Sequence, residues 1–374
     1  MKRKIREICT IFFAALFFLS GCSAFRNQDS TGISAVRGQE AASVYAPAEK
    51  NRLTVYTSHQ EDIYSPIIKE FEERTGIWVS VKTGGTMELL EAIAAESEKP
   101  QCDVIFGGGI ESLDSYRNHF SPYQSSLTEN LPSEYLQEDG LWTPFSIPPV
   151  VLIYNPKLIR TNPPTGWDSL INPAWKGKIA FADPEISGSS YTALATLLQI
   201  LPGEKAELLQ LFFHNLEGRT LSDSGMVVSE VANGSCYIGV TLEENALRGI
   251  KKGYDIAMVY PEEGTSAIPD GTAIISGCPH EENARLFLDF TLGNDVQTYL
   301  SESCNLRAVQ ADIPQPDGVT QDFPCFDYDI GWAAGNQEEI LASWHSLKTD
   351  SEVISSLEIP ETAGDSAADK EVAP

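Results

Sequence analysis

Positive charge is scarce in this sequence. Its 26 Lys and Arg stand against 53 Asp and Glu, a formal net charge of −27. That balance excludes a nucleic-acid partner and charge-driven adhesion to anionic lipid. Catalytic signatures are missing too. There is no GxSxG, no HExxH and no P-loop lysine motif, so the corresponding hydrolase, zinc-protease and nucleotide chemistries lack their residues. "PHEENAR" has the first half of a zincin pattern without the second histidine. His59 and Asp62 near Ser58 are neighbouring turn residues and read as caps. No enzyme activity, resident metal or cofactor is therefore expected. The seven cysteines have no CxxC spacing, so neither a zinc site nor a disulfide framework is suggested. Cys9 and Cys22 fall in the leader. The other five are Cys102, Cys236, Cys278, Cys304 and Cys325, so at least one thiol is free, and a Cys278–Cys304 pairing stays open.

Only one long apolar run is present, and it lies near the N-terminus. Basic "MKRKIREIC" precedes "TIFFAALFFL", and "LSGC" follows. That is an export signal whose apolar core is too short for a comfortable transmembrane span. Leu19–Cys22 resemble a bacterial lipobox, which implies that residues 1–22 are a signal and that Cys22 is acylated as the mature N-terminus. Two acyl chains suffice for stable anchoring where one is marginal. Residues 23–50, rich in Ser, Ala, Gln and Gly, read as a flexible tether with an r.m.s. span of about 30 Å. The protein is thus expected at the extracytoplasmic face of the cell membrane, lipid-anchored. Acidic residues 350–374 read as disordered.

Between these ends the 42% hydrophobic composition permits sizeable cores, and the length suits two domains. "RLTVYTS", "IWVSVKT" and "CDVIFGGG" read as strands, separated by the helices "DIYSPIIKEFEERTG" and "GGTMELLEAIAAESE". This β-α-β-α-β run implies a parallel sheet with right-handed crossovers. "FSIPPVVLIYNP" reads as a crossing segment. A second alternating set follows: "KGKIAFA", a helix from Tyr191, "SCYIGVT" and "EENALRGIKKG". "DIAMVYPEEG" reads as the return crossing, before "GTAIISG" and two more helices. The expected fold class is α/β, in two lobes. Residues 51–150 and 256–349 make lobe 1 and residues 151–255 make lobe 2, with a hinge and a ligand cleft between them.

In open α/β sheets, ligands sit outside the carboxyl ends of the strands. Polar turns gather there. Ser58, His59 and Gln60 follow the first strand; Gly84, Gly85 and Thr86 the second; Gly107–Gly109 the third. Thr241 and Glu243 follow "CYIGV". "ADPEISGSSYTAL" puts Ser187, Gly188, Ser189 and Ser190 at the start of an apolar helix. Serine there is a good N-cap. A helix start with added hydroxyls is equally a ready anion site. Asp223 and Glu243 face a ligand amine or sugar hydroxyls, or are solvated loop acids. Asp103, leading a buried strand, reads as structural.

"LTVYTSHQEDIYSPIIKEFEERTGI", "GGTMELLEAIAAE", "NPAWKGKIAFADPEISGSSYTAL", "NGSCYIGVTLEENAL" and "PDGTAIISGCPHEENARLFLDFTL" together resemble the type II periplasmic solute-binding proteins of ABC importers. The nearest branch holds ferric-iron binders and binders of phosphorylated solutes such as hexose phosphates and phosphonates. The resemblance spans Leu53 to about Leu347. It implies a hinged two-lobe fold, a small-molecule solute, a permease partner and a chain expected to act as a monomer. Ferric binders of this branch carry adjacent tyrosines after the strand matching "CYIGV"; this sequence has Val240-Thr241-Leu242-Glu243 there and no Tyr-Tyr pair anywhere. "GGT" and "SGSSYT" match the phosphorylated-solute branch. The expected role is therefore import of a phosphonate or sugar phosphate, with Ser58, His59, Thr86, Ser187–Ser190, Asp223, Thr241 and Glu243 as ligand contacts. Two alternatives remain: ferric-iron import, since His59 stands where some ferric binders place a histidine, and solute sensing with a membrane histidine kinase.

Overall fold

A computed structural model describes residues 46–136, 139–320 and 322–357. Cys22 and the expected signal lie outside the described residues. The folded body begins at Ala48, slightly before the expected end of the tether. A short turn at Glu49–Asn51 is pinned there by Asn283, whose Nδ2 donates to the carbonyls of Lys50 (3.0 Å) and Arg52 (2.7 Å).

Strand β1 (Arg52–Thr57) leads to helix α1 (Glu61–Thr75), strand β2 (Trp78–Thr83), helix α2 (Thr86–Ala95) and strand β3 (Val104–Gly109). β1 pairs in parallel with both β2 and β3, as the alternation predicts. Ile63, Ile67, Ile68 and Phe71 are the buried face of α1, one stripe at helical spacing. Pro66 inside α1 has no N–H for the Asp62 carbonyl; the Tyr299 hydroxyl donates to that carbonyl instead, at 2.9 Å. The first sheet is completed by β4 (Phe120–Ser121), β5 (Thr143–Ile147), β10 (Asp270–Ile275) and β11 (Arg307–Ala308), in the order β11-β5-β10-β3-β1-β2, with β4 also on β10. β10 runs antiparallel to β3 and β5 and sits between them.

Pro148 and Pro149 carry the chain from β5 into β6 (Val150–Tyr154), the first strand of a second sheet. That sheet has the order β7-β8-β6-β9, with β7 at Ile179–Ala180, β8 at Ile238–Leu242 and β9 at Ala257–Val259. The expected lobe boundaries are each off by a strand edge. β6 already belongs to the second sheet at Val150, and β9, expected in lobe 1, pairs with β6 through Leu152–Val259. The extended return begins only after β9, because its residues 257–259 find antiparallel partners on β6.

Helices of the second lobe flank its sheet: α4 (Gly188–Ile200), α5 (Lys205–Leu216), α6 (Ser224–Ala232) and α7 (Glu243–Lys251), a numbering in which α3 is Ile110–Ser115 of the first lobe. α8 (Glu281–Thr291) and α9 (Asn294–Tyr299) return to the first. One core, with Leu53, Phe71, Phe106, Phe145 and Phe287, fills the first lobe. Another, with Val151, Ile153, Val227 and Val231, lies under the second. The final helix α10 (Ile330–Leu357) touches both. Its Gln337 donates to Ser112 Oγ of α3 at 3.2 Å. Its Trp344 is fully buried among Phe181, Phe212 and Phe213, and its Lys348 donates to Asp183 at 2.6 Å. The expectation of disorder from residue 350 fails up to Leu357. Extending an existing helix costs little, and the first breaker is Pro360. Residues 358–374 lie outside the described residues.

The five cysteines of the folded body are all free, which settles the Cys278–Cys304 question. Asp103 is structural: its carboxylate accepts from Thr54 N (2.6 Å) and His280 N (2.9 Å) and faces His280 Nδ1 at 2.9 Å. Among the described residues no helix is long and apolar enough to cross a membrane.

Candidate ligand-binding cleft

The carboxyl ends of β1, β2 and β3 face the starts of α4, α6 and α7 across a cavity of about 160 Å³. That is smaller than the roughly 300–1,000 Å³ of drug-sized sites, so the space suits a small solute. The lobes touch around it. Met87 N donates to Ile186 O at 3.4 Å, and Gln60 Nε2 donates to Asn245 Oδ1 at 3.1 Å. The contact is tight enough to require glycine. A Cβ on Gly85 would lie 2.4 Å from Ile186 O.

The cleft lining includes seven of the ten expected ligand contacts: Ser58, His59, Thr86, Ser187, Gly188, Ser189 and Asp223. Two readings of the serine cluster turn out to be shared among its members. Ser187 is the N-cap of α4, with Oγ accepting from Ser190 N at 3.3 Å, and it also lies 3.1 Å from Ser189 Oγ. Asp223 caps α6 through Gly225 N while lining the cleft. The other three expected contacts are not among the residues lining the cleft. Ser190 is buried and its hydroxyl is used on Ser187 Oγ at 3.1 Å. Thr241 donates to Ser224 O at 3.2 Å. Glu243 turns out of the cleft into a buried two-point ion pair with Arg307, at 2.7 and 2.9 Å, and accepts from Tyr260 OH. The pair joins α7 of the second lobe to β11 of the first, beside Pro149 O, which accepts from Glu243 N at 2.9 Å.

Sequence reasoning missed Glu244, Asn245, Asp270, Ser222, Ser224 and Thr192 as lining residues. Glu243 and Glu244 both stand in the first turn of α7, and composition alone cannot say which one faces inward. Asp270 had a usable signal: an acid heading a buried strand, in "PDGTAII".

The electrostatics are unusual. His59 packs on Phe106 and Phe145, with ring centroids 4.6 and 5.2 Å away, and burial drives its pKa down to about 4. Its Nε2 has no hydrogen-bond partner and lies 3.5 Å from Asp270 Oδ2. That is too long for a strong hydrogen bond, and the imidazole is neutral. Asp270 Oδ1 accepts from Ser146 N (2.9 Å) and Oγ (2.7 Å), yet burial still pushes its carboxyl up to about 7. Burial likewise pushes Glu244 up to about 7. Behind the cleft, Glu111 of α3 meets the Thr192 hydroxyl of α4 and is also pushed up to about 7 by burial. Among the described residues no cluster of His, Cys, Asp and Glu is arranged to hold a metal ion.

Comparison with known proteins places this architecture. Residues 100–330 match the family model described as bacterial extracellular solute-binding protein. Iron uptake protein A1 of Synechocystis is 24% identical over 287 residues, 72% of this chain and 78% of that protein. The periplasmic binding protein AfuA of Actinobacillus pleuropneumoniae, solved with fructose-6-phosphate, superposes with a TM-score of 0.74 at 22% identity, covering 80% of this chain and 98% of that one. The apo ferric ion-binding protein A of Pasteurella haemolytica gives 0.70 at 19% identity, over 80% and 98%. These are non-catalytic carriers, and the two-lobe α/β fold is the same. The chain belongs to the bacterial extracellular solute-binding proteins, in their type II form, the class that delivers small solutes to ABC importers.

Proposed function

We propose that the cleft carries an organic solute bearing a tetrahedral oxyanion, a phosphonate or a sugar phosphate, and presents it to an ABC permease. The observation that carries this reading is the facing pair of helix starts. α2 opens with Gly85 and Thr86 and α4 with Ser187, Gly188 and Ser189, and both line one small cavity. Free N–H groups at helix starts favour an anion, and neutral hydroxyls add donors. Four charge-assisted hydrogen bonds at roughly 1.5–3 kcal/mol each give about 6–12 kcal/mol. Micromolar affinity needs about 8 kcal/mol, so no lysine or arginine in the site is required. Acylation at Cys22 would hold the carrier at the outer face of the membrane.

Ferric iron is the second reading. Ferric carriers recur among the similar proteins, and His59, Glu244 and Asp270 are N and O donors at the cleft. Against it stands the absence of adjacent tyrosines, whose phenolates suit hard Fe(III). A histidine kinase in place of the permease would use the same cleft. A thermal-shift screen of phosphonates, sugar phosphates and Fe(III) separates the oxyanion reading from the ferric one. A ligand at 100 times its Kd stabilises by about 2.7 kcal/mol. Stabilisation by Fe(III) alone would reverse the order of the two.

A further inference from the structure

In α10, Gln337, Trp344 and Lys348 are spaced by seven and then four residues, so they share one face of the helix. Gln337 and Trp344 are buried and Lys348 is partly buried. Between Gln337 and Lys348 the helix rises about 16 Å. Each end of this stripe holds one of the two helix starts that face each other in the cleft. At the first end, Gln337 Nε2 donates to Ser112 Oγ at 3.2 Å and lies 3.6 Å from Met87 Sδ, and its Oε1 accepts from Ser115 Oγ. Met87 is buried and follows Thr86 in the first turn of α2.

At the second end, Trp344 and Lys348 reach Asp183, which stands in the loop just before the Ser187 cap of α4. Asp183 Oδ1 accepts from Trp344 Nε1 at 3.2 Å and from Glu185 N at 3.1 Å. Its Oδ2 accepts from Lys348 Nζ at 2.6 Å and from Thr220 Oγ1 at 3.3 Å. Its carbonyl accepts from Ile186 N at 3.1 Å and Ser187 N at 2.8 Å. Lys348 Nζ also donates to Glu185 Oε2 at 2.5 Å, and His345 Nδ1 lies 2.9 Å from Glu185 Oε1. The loop that delivers Ser187 is therefore folded onto Asp183, and α10 holds Asp183. Packing alone does not call for this, since Trp344 is already buried among Phe181, Phe212 and Phe213. A buried ion pair adds little stability over apolar residues of similar volume. What charge-assisted hydrogen bonds add is a defined geometry for the carboxylate.

Resting on the oxyanion reading above, we infer that α10 is a shared support for both oxyanion-binding helix starts. Lys348 and Trp344 position Ser187 and Ser189 through Asp183, Gln337 positions Thr86 through Met87, and the helix between them fixes the spacing of the two donor sets. None of these three α10 residues lines the cavity, so they are positioning residues that act without touching the solute. Spacing matters because donor–acceptor distances are confined to about 2.5–3.2 Å. An anion accepts from both helix starts at once only when they stand at one separation.

The test is calorimetry on the full chain with ethylphosphonate and fructose 6-phosphate, following whichever binds tighter. Lys348→Met should weaken it about tenfold, as loss of a supporting partner does at metal sites. Lys348→Arg keeps the charge and should stay within about threefold of wild type. Ile340→Ala is the control for a merely structural role: it removes buried packing from the same helix, so it should lower stability and leave affinity within about threefold. Gln337→Leu should weaken binding too, and the double variant with Lys348→Met should lose less than the product of the two, because one helix serves both ends. Sites this far apart otherwise act independently, so a full product overturns the shared support. Hydrogen exchange on the chain without solute gives a second readout: amides of residues 183–190 should exchange faster in Lys348→Met and not in Lys348→Arg. Affinity of Lys348→Met equal to wild type, or lowered no more than that of Ile340→Ala, overturns the inference and leaves the oxyanion reading standing. If wild type binds neither probe, the oxyanion reading falls and exchange decides the positioning, which falls too if residues 183–190 exchange as in wild type.

Discussion

Gly188 and Thr86 meet across the cleft so closely that a Cβ on the glycine would lie 2.7 Å from Thr86 Oγ1. The two residues belong to opposite lobes, so the contact exists only when the lobes are together. Gly188→Ala is the informative change. Alanine is the better helix former by up to about 1 kcal/mol, so the folded chain should lose no stability. Closure should suffer, with affinity for a phosphonate falling at least about tenfold. Calorimetry beside a denaturant melt reads both. Affinity equal to wild type would mean that this contact does not limit closing.

Two serines of one cluster should separate by phenotype. Ser187→Ala removes the N-cap of α4 and should cost about 1 kcal/mol of stability. Ser189→Ala should spare stability and weaken oxyanion binding by roughly 1.5–3 kcal/mol, about 10- to 150-fold. Unfolding curves and titrations on the two single mutants make the comparison. Lost stability with intact affinity in Ser189→Ala would reduce it to a capping role.

The Glu243–Arg307 pair is buried and joins the lobes beside the Pro148–Pro149 crossing. Breaking a buried pair leaves an uncompensated charge and typically costs about 3–5 kcal/mol. Glu243→Gln should fall near the lower end, since Arg307 also donates to Thr320 O at 2.7 Å and lies over Phe323 at 4.7 Å. Adding Arg307→Met should recover much of the loss. A chemical denaturation series on the single and double mutants measures it.

Stability should rise as the solution is made mildly acidic. Glu111, Glu244 and Asp270 have folded pKa values of about 7 because of burial, against about 4 unfolded. The folded state holds the extra protons, so this contribution is complete below about pH 4 and lost as pH rises through 7. His59 works in the opposite sense. Its folded pKa of about 4 makes a contribution that is complete above about 6.5 and lost as pH falls through 4. Three carboxyls outweigh one imidazole between pH 8 and 5.5. The ligand-free Tm should therefore be a few °C higher at pH 5.5, and Glu111→Gln should flatten the slope. A Tm that climbs toward pH 8 would contradict the sign.

The anchor is tested without reference to the cleft. On the lipoprotein reading Cys22→Ser should release the protein from membranes, because acyl chains on that cysteine would supply the attachment. Fractionation of cells expressing the mutant decides it: retention on salt-washed membranes would rule out the lipoprotein reading.

Much of this molecule was legible because period and punctuation agreed. Ile63, Ile67, Ile68 and Phe71 at helical spacing, closed by Gly76 in the left-handed region (φ 71°), give α1 almost residue for residue. Pro148 and Pro149 mark the crossing between sheets. The fine boundary at β9 was not legible, since Ala257–Val259 become a strand only because β6 is there to pair with. The cleft was legible as a rim of Gly, Ser and Thr turns at strand ends. Its acidic end was not. Which of two adjacent glutamates turns inward depends on the orientation of α7, and Arg307, the partner that captures Glu243, lies far along the chain.

The position of β10 has a consequence for how the chain matures. It is the central strand of the first sheet, lying between β3 and β5, yet it is made after the whole second sheet has passed. A polypeptide emerging N-terminus first therefore finishes the second sheet while the first still has a gap in its middle. Long-range pairing of that kind is slow, and until β10 arrives the facing edges of β3 and β5 are open to other strands. The interval between the emergence of Ile147 and that of Ile275 is therefore the one in which this sheet is most open to misassembly.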